Sequence, residues 1–292
     1  QPIPTAKTAN ATASGNYAGQ LPQVTIDDDD DPFESPSAQP DSKEEAATEP
    51  KRRRKEPPAP KVSPPVMPKN IFRAYDIRGV VGQEFNEDIV YWIGRSLAVA
   101  MKQRGFDKLC LAWDGRLTGP PLAESCERGA LDGGCNVVVL GAQPTGLLYF
   151  STFETEARCG AMITGSHNPA QYNGLKIVVD RLPLAQQEIQ GLYHRIVRND
   201  LPVAETRGVR ESRDINDTYL QRIEDDISVN RQMKVVVDAG NGIAGPLAEQ
   251  LMQRLGVQCV SQFCDVDGRF PNHHPDPTVP SNLTAIQLAV QD

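Results

Sequence analysis

The stretch Gly160-Ala161-Met162-Ile163-Thr164-Gly165-Ser166-His167-Asn168-Pro169, continuing through Tyr172-Asn173-Gly174-Leu175-Lys176, decides how this chain folds. The apolar run at residues 160–164 reads as a buried strand. It delivers a serine into a loop shaped by glycine and proline. Gly165 allows close backbone approach, and Pro169 limits the turn. The run at 175–179 reads as the next strand and returns a cation, Lys176, to the neighbourhood. Ser166 Oγ is then presented at the end of a strand, where α/β sheets hold their ligands. Ser166 and His167 do not make a nucleophile–base pair by adjacency, because neighbouring residues usually point apart. On spacing alone, an ordinary Asn-Pro turn with an incidental serine stays open.

Moving outward, the pattern alternates strand and helix. A short apolar segment at 71–75 ends in Asp76-Ile77-Arg78-Gly79. A helix follows from Asn86, a good N-cap, with apolar positions at Ile89, Ile93, Leu97 and Met101 and a stop at Gly105. Residues 109–113 read as a buried strand and Asp114-Gly115-Arg116 as a turn, which Asp114 and Arg116 could close by pairing. Pro120 and Pro121 open the next helix. A strand at 137–140, a helix at 146–153 and, beyond the serine loop, a helix at 185–197 complete the first unit. A second unit begins near Asp214, with helices at 216–227 and 243–255 and strands at 235–238 and 258–264. This alternation predicts an α/β protein with mixed, mostly parallel sheets and flanking helices.

Residues 1–68 differ in kind. They hold 13 of the 24 prolines and two aromatics, Tyr17 and Phe33. Such a stretch buries too little apolar surface to offset its ordering entropy, so it reads as a disordered tail or linker. It carries an acidic block at 27–31 and a basic block at 51–55, and could tether an upstream module. The net charge of −8 argues against a nucleic-acid partner. No run of 18 apolar residues is present, so nothing reads as a membrane segment. Six cysteines without a CxxC pair read as reduced, buried thiols of a cytoplasmic protein. The chain begins at Gln1 and ends at Asp292 in a helical-looking segment, which reads as a piece of something longer.

Two motifs offer rival functions. Gly240-Asn241-Gly242-Ile243-Ala244-Gly245 fits GxGxxG between a strand and a helix, the local pattern of a dinucleotide site, and would suit an NAD-binding oxidoreductase. His273-His274-Pro275-Asp276 could suggest a metal site, although adjacent histidines project apart and no further ligands stand at typical spacing.

The serine loop resembles the phosphoserine loop of the α-D-phosphohexomutases. Phe72-Arg73-Ala74-Tyr75-Asp76-Ile77-Arg78-Gly79 resembles that family's opening loop, and Trp113-Asp114-Gly115-Arg116 its Asp-x-Arg turn. Residues 236–242 and 270–277 resemble two loops of its second domain. The versions here look closest to the bacterial phosphomannomutase/phosphoglucomutase branch. The resemblance implies the N-terminal part of a four-domain fold: a tail at 1–68, domain I at 69–211 and a C-terminally truncated domain II at 212–292. The family's Asp-rich metal loop, sugar loop and phosphate loop are absent, so this chain alone is expected to be inactive.

By resemblance the enzyme is an isomerase that interconverts hexose 1-phosphate and hexose 6-phosphate, on mannose and glucose phosphates. Ser166 carries the phosphoryl group and meets Mg²⁺ through that phosphate, and a hexose 1,6-bisphosphate is the intermediate. Arg78 and Lys176 are the candidate cations for the transferring group and its acceptor, either of which could move the acceptor's proton. Tyr75 is a candidate orienting group. His167 and Asn168 would shape the loop or bond to the phosphate. Phosphoglucosamine mutase and a non-catalytic module remain alternatives.

Overall fold

The computed structural model describes residues 63–291. The expectations for the tail, its two charged blocks and its tethering role fall almost wholly outside the described residues. Met67, counted with the tail by sequence, is buried in the main core.

After a 3-10 turn at Lys69–Ile71, the first unit runs β1 (Ile77–Val80), α1 (Glu87–Lys102), β2 (Lys108–Trp113), α2 (Gly119–Asp132), β3 (Asn136–Ala142) and α3 (Thr145–Glu154). It continues with β4 (Gly160–Ile163), β5 (Tyr172–Val179), β6 (Leu182–Pro183), α4 (Gln187–Val197) and β7 (Arg210–Ser212). Then come α5 (Asn216–Asp226), β8 (Lys234–Asp238), α6 (Gly245–Arg254), β9 (Gln258–Gln262), a 3-10 turn at Pro280–Leu283 and α7 (Thr284–Gln291). The main sheet has the order β1-β5-β4-β2-β3-β7, with β6 beside β5. Strands β4, β2, β3 and β7 are parallel, while β1, β5 and β6 add antiparallel pairs on the β5 side. A second, parallel pair joins β8 and β9.

Side-chain alternation sorts this sheet into two faces. Leu109, Leu111, Val137, Val139, Ala161 and Ile163 face α1, α2 and α4. Cys110, Ala112, Val138, Leu140 and Met162 face α3, with Leu147, Leu148 and Ile215 packed on them. Because both faces are covered, β2, β3 and β4 read as continuous apolar runs. Asn86 caps α1 as its sequence predicts, its side chain accepting from Ile89 N at 3.0 Å. All six cysteines are free, and burial pushes the Cys126 and Cys135 thiols up to about 12.

The apolar segment at 71–75 begins in a 3-10 turn, which Ile71 and Phe72 anchor in the core, and the first strand follows at Ile77–Val80, fixed by pairing Ile77 with Leu175. One boundary differs from the sequence reading. Strand β5 begins at Tyr172, so Asn173 and Gly174 belong to it rather than to the serine loop.

This topology creates a crevice. From β2 the chain passes through α2 to β3 on one side, whereas from β4 it turns to β5 on the other. The connections leaving β2 and β4 diverge at their C-terminal ends, which is where open α/β sheets bind ligands. Asp114 follows β2 there, and Thr164 follows β4.

Candidate active site

The serine loop is built on one carboxylate and one guanidinium. Asp114 Oδ2 accepts from Thr164 Oγ1 at 2.7 Å and from Gly165 N at 3.2 Å, joining the ends of β2 and β4. Thr164 Oγ1 in turn accepts from Ser166 N at 2.8 Å. Arg116 Nη2 donates to the carbonyls of Ser166 (2.8 Å) and Asn168 (2.7 Å). Its Nη1 donates to those of Pro169 (2.7 Å) and Tyr172 (3.0 Å), and Nε reaches Asp114 Oδ2 at 3.2 Å. The Arg116 side chain is 1% exposed. Burial pulls its pKa down, Asp114 opposes that, and the Arg78 charge adds to the lowering. Four carbonyl dipoles and a carboxylate stand in for the lost water, which a planar five-donor fork can satisfy and an ammonium cannot.

Turning these carbonyls inward leaves Ser166 outside. Its residue is exposed, with φ of 54° in the left-handed region. For a serine that conformation costs on the order of 1–3 kcal/mol, and it persists because the surrounding bonds impose it. Gly165 is required beside it: a Cβ there would lie inside the van der Waals surface of the Arg116 guanidinium. Ser166 Oγ stands 3.4 Å from His167 Nδ1, a loose contact at the limit of hydrogen bonding.

The other predicted residues are distributed as follows. Arg78 on β1 lies opposite Gly174 on β5 and pairs with Asp76, its side chain mostly buried. Lys176, two residues along β5 and half-buried, shares the face of Gly174 and lies opposite Met162 on β4. Both cations therefore stem from one face of the sheet. Tyr75 is 72% exposed, just before β1. Asn168 N donates to Gly165 O at 3.0 Å, while its enclosed side-chain Nδ2 has no partner among the described residues. That leaves a donor close to the serine.

The residues that sequence reasoning undervalued are Asp114 and Arg116. They do pair across their turn, as expected, yet their main partners are the loop fifty residues away. The available signal was an arginine two residues after the acidic end of a buried strand. Asn173, fully buried, ties β5 to the start of α2 by donating to Thr118 Oγ1 at 2.9 Å.

In the second unit, the glycine turn after β8 grips its own neighbours. Gly240 (φ 52°) and Asn241 (φ 59°) are both left-handed. Asn241 Nδ2 donates to Asp265 O at 2.9 Å, and its Oδ1 accepts from Asn272 Nδ2 at 2.8 Å. His273 lies over Gly240, its Cε1 3.0 Å from where a Cβ would stand. The room a pyrophosphate would need above that glycine is filled by this ring, which counts against the dinucleotide reading. The segment 263–276 also meets the first unit. Phe270 lies 5.2 Å from Arg116 Cζ, and a Cβ on Gly268 would stand 2.6 Å from Gly115 O. The Asp276 carboxyl is held below its usual range by Thr278, with the His167 and His274 charges adding to this.

The described residues do not by themselves fit a Mg²⁺ site. Such an ion needs several oxygen ligands in octahedral array. Asp114 is already saturated by Thr164, Gly165 and Arg116, and Asp76 is paired with Arg78. Among the described residues no group of three or more potential ligands comes together. Ser166, once phosphorylated, would offer phosphate oxygens alone.

Residues 69–202 match the family model for phosphoglucomutase/phosphomannomutase, alpha/beta/alpha domain I, and residues 217–292 match that for domain II. A phosphomannomutase/phosphoglucomutase of Pseudomonas aeruginosa is 48% identical over 219 residues, covering 75% of this chain and 47% of the relative. A phosphoglucomutase of Neisseria meningitidis is 41% identical over 224 residues, covering 77% and 49%. The crystal structure of a phosphoglucomutase/phosphomannomutase family protein from Burkholderia thailandensis superposes with a TM-score of 0.74 at 40% identity, covering 77% of this chain and 50% of that one. The chain thus spans about half the length of the curated relatives it matches.

Proposed function

The chain belongs to the phosphoglucomutase/phosphomannomutase family of α-D-phosphohexomutases, and on that premise we propose that the whole protein interconverts hexose 1-phosphates and hexose 6-phosphates through Ser166. The observation that carries this is the exposed, left-handed Ser166 at the crevice between β2 and β4, with the loop's carbonyls turned away toward Arg116.

In the resting enzyme Ser166 bears a phosphoryl group. The Ser166 Oγ–P bond breaks as a P–O bond forms to the free hydroxyl of the hexose monophosphate, and a proton equivalent to the one that hydroxyl loses ends on Ser166 Oγ. The resulting hexose 1,6-bisphosphate reorients and returns its other phosphoryl group to Ser166, so phosphate is conserved over the cycle. Such transfer depends on positioning and on neutralising oxygen charge. Arg78 cannot release its proton, so Lys176 is the cation suited to exchange one with the acceptor hydroxyl, and Arg78 supplies fixed charge. Tyr75, His167 and Asn168 would contact substrate or phosphate. Mg²⁺, if bound at the phosphoserine as the resemblance implies, would supply charge neutralisation there with carboxylates from outside the described residues.

We place domain I at 69–211 and domain II at 212–292; β7 (Arg210–Ser212), which pairs with β3 at the edge of the first sheet, straddles that division. Mannose and glucose phosphates are the substrates we favour. Among the described residues no helix is long and apolar enough to cross a membrane. The cytoplasm is the location we favour. The full-length protein, given mannose 1-phosphate, Mg²⁺ and a trace of hexose 1,6-bisphosphate, is expected to form mannose 6-phosphate at roughly 1–1000 per second, followed by phosphorus NMR. Preference for glucosamine phosphate would favour phosphoglucosamine mutase. No turnover of any hexose phosphate would leave the non-catalytic reading.

A further inference from the structure

Two motifs are unused by that chemistry, the glycine turn after β8 and the histidine pair at 273–274, and they meet in one place. His273 Nδ1 lies 2.9 Å from the His274 carbonyl, and Nε2 lies 3.0 and 3.1 Å from the two oxygens of Asp238. A carbonyl and a carboxylate both accept, so the two contacts are made together when both ring nitrogens carry protons, which favours the imidazolium. Burial alone would lower its pKa; the carbonyl and the Asp238 carboxylate outweigh burial, and the result is raised. Facing the ring are Asp238 from β8, Gly240 from the following turn, the Phe263 ring from beyond β9 at 5.5 Å, and the His274 carbonyl of its own loop. Among these Asp238 is the charged group.

What the pair holds is a bridge to the serine loop. Asn241 ties down the near end of the segment through Asp265 O and accepts Asp267 N at 3.0 Å, and His273 ties down the far end. Between these two anchors, Gly268 packs on the backbone of residues 115–117 and Phe270 lies on the Arg116 guanidinium. Arg116 in turn holds four carbonyls of the serine loop. We propose that His273, paired with Asp238, is a positioning residue: it fixes segment 263–276 against Arg116 and thereby sets the geometry of residues 164–172. Its bearing on turnover rests on the reaction proposed above; the mechanical coupling does not.

The test is amide hydrogen exchange, read by mass spectrometry, on full-length wild type, Asp238→Asn, His273→Gln and the double variant. Each single variant is expected to exchange several-fold faster both at 263–276 and at 164–172, with α1 and β2 unchanged. The double variant should add little, because either change breaks the same link. In wild type the two segments should loosen together, after correction for intrinsic exchange, as pH rises through the raised His273 pKa, and Asp238→Asn should lack that step. The wild-type pH series keeps the test decisive if a variant does not fold. If 263–276 loosens while 164–172 stays protected, the coupling is wrong. If wild type turns over no hexose phosphate, the proposed reaction falls while the exchange result still decides the coupling. Where turnover is present, the variants should lose about ten-fold in kcat with little change in KM, since positioning acts on the transition state.

Discussion

Replacing Ser166 with alanine is expected to lower mutase turnover of the full-length protein by on the order of 10⁴-fold or more, with substrate binding largely kept. The side chain is exposed and its Oγ makes one loose contact, with His167, so its removal costs little packing. Alanine in the left-handed conformation is no better placed than serine, so stability should change by less than about 1 kcal/mol. Activity and stability therefore separate at this position, which a structural serine would not allow. The check is paired: kcat in the coupled mutase assay and the unfolding midpoint of the same preparation. A variant that turned over normally would remove Ser166 from the chemistry.

Arg116→Met is expected to fail in the opposite manner, through structure. It leaves the Asp114 carboxylate without its cation and four loop carbonyls without their guanidinium donor. Breaking a buried pair on one side typically costs about 3–5 kcal/mol, and a unit of this size loses about 2–4 °C of Tm per kcal/mol. The loop should then leave its left-handed geometry at Ser166, and turnover should fall by at least 100-fold in whatever fraction stays folded. Arg116→Lys distinguishes charge from geometry. Lysine restores the cation but not the planar fork, and we expect it to recover little. Full recovery by lysine would mean that Arg116 acts as a charge alone.

The parts of the fold that were legible in the sequence are those set by local chemistry. Asn86 announces α1, Pro120 and Pro121 announce α2, and the apolar runs of β2, β3 and β4 announce strands covered on both faces. What was not legible depends on distant partners. Ile77–Val80 includes Arg78 and Gly79 and becomes a strand because β5, almost a hundred residues later, pairs with it. Arg210–Ser212 is exposed throughout and is a strand through its pairing with β3. The candidate site divides the same way. Ser166, His167 and Asn168 stand in one loop whose glycine and proline can be read directly. The work of Arg116 cannot be read so, because its partners are backbone carbonyls, which have no residue-type signature. The place of His273 was hidden for a related reason: nothing local to the two histidines announces the carboxylate that faces one of them from thirty-five residues earlier.

The central claim is that Ser166 is a phosphoryl carrier, and the most direct measurement is of that bond. Full-length protein, first dephosphorylated, would be incubated with glucose 1,6-bisphosphate and Mg²⁺, digested and analysed by tandem mass spectrometry. One added phosphoryl group is expected on the peptide containing residues 164–176, with fragment ions assigning it to Ser166 and discharge when hexose monophosphate is added. A protein that turns over hexose phosphates while Ser166 stays unmodified, or that carries the label on another residue, would contradict it.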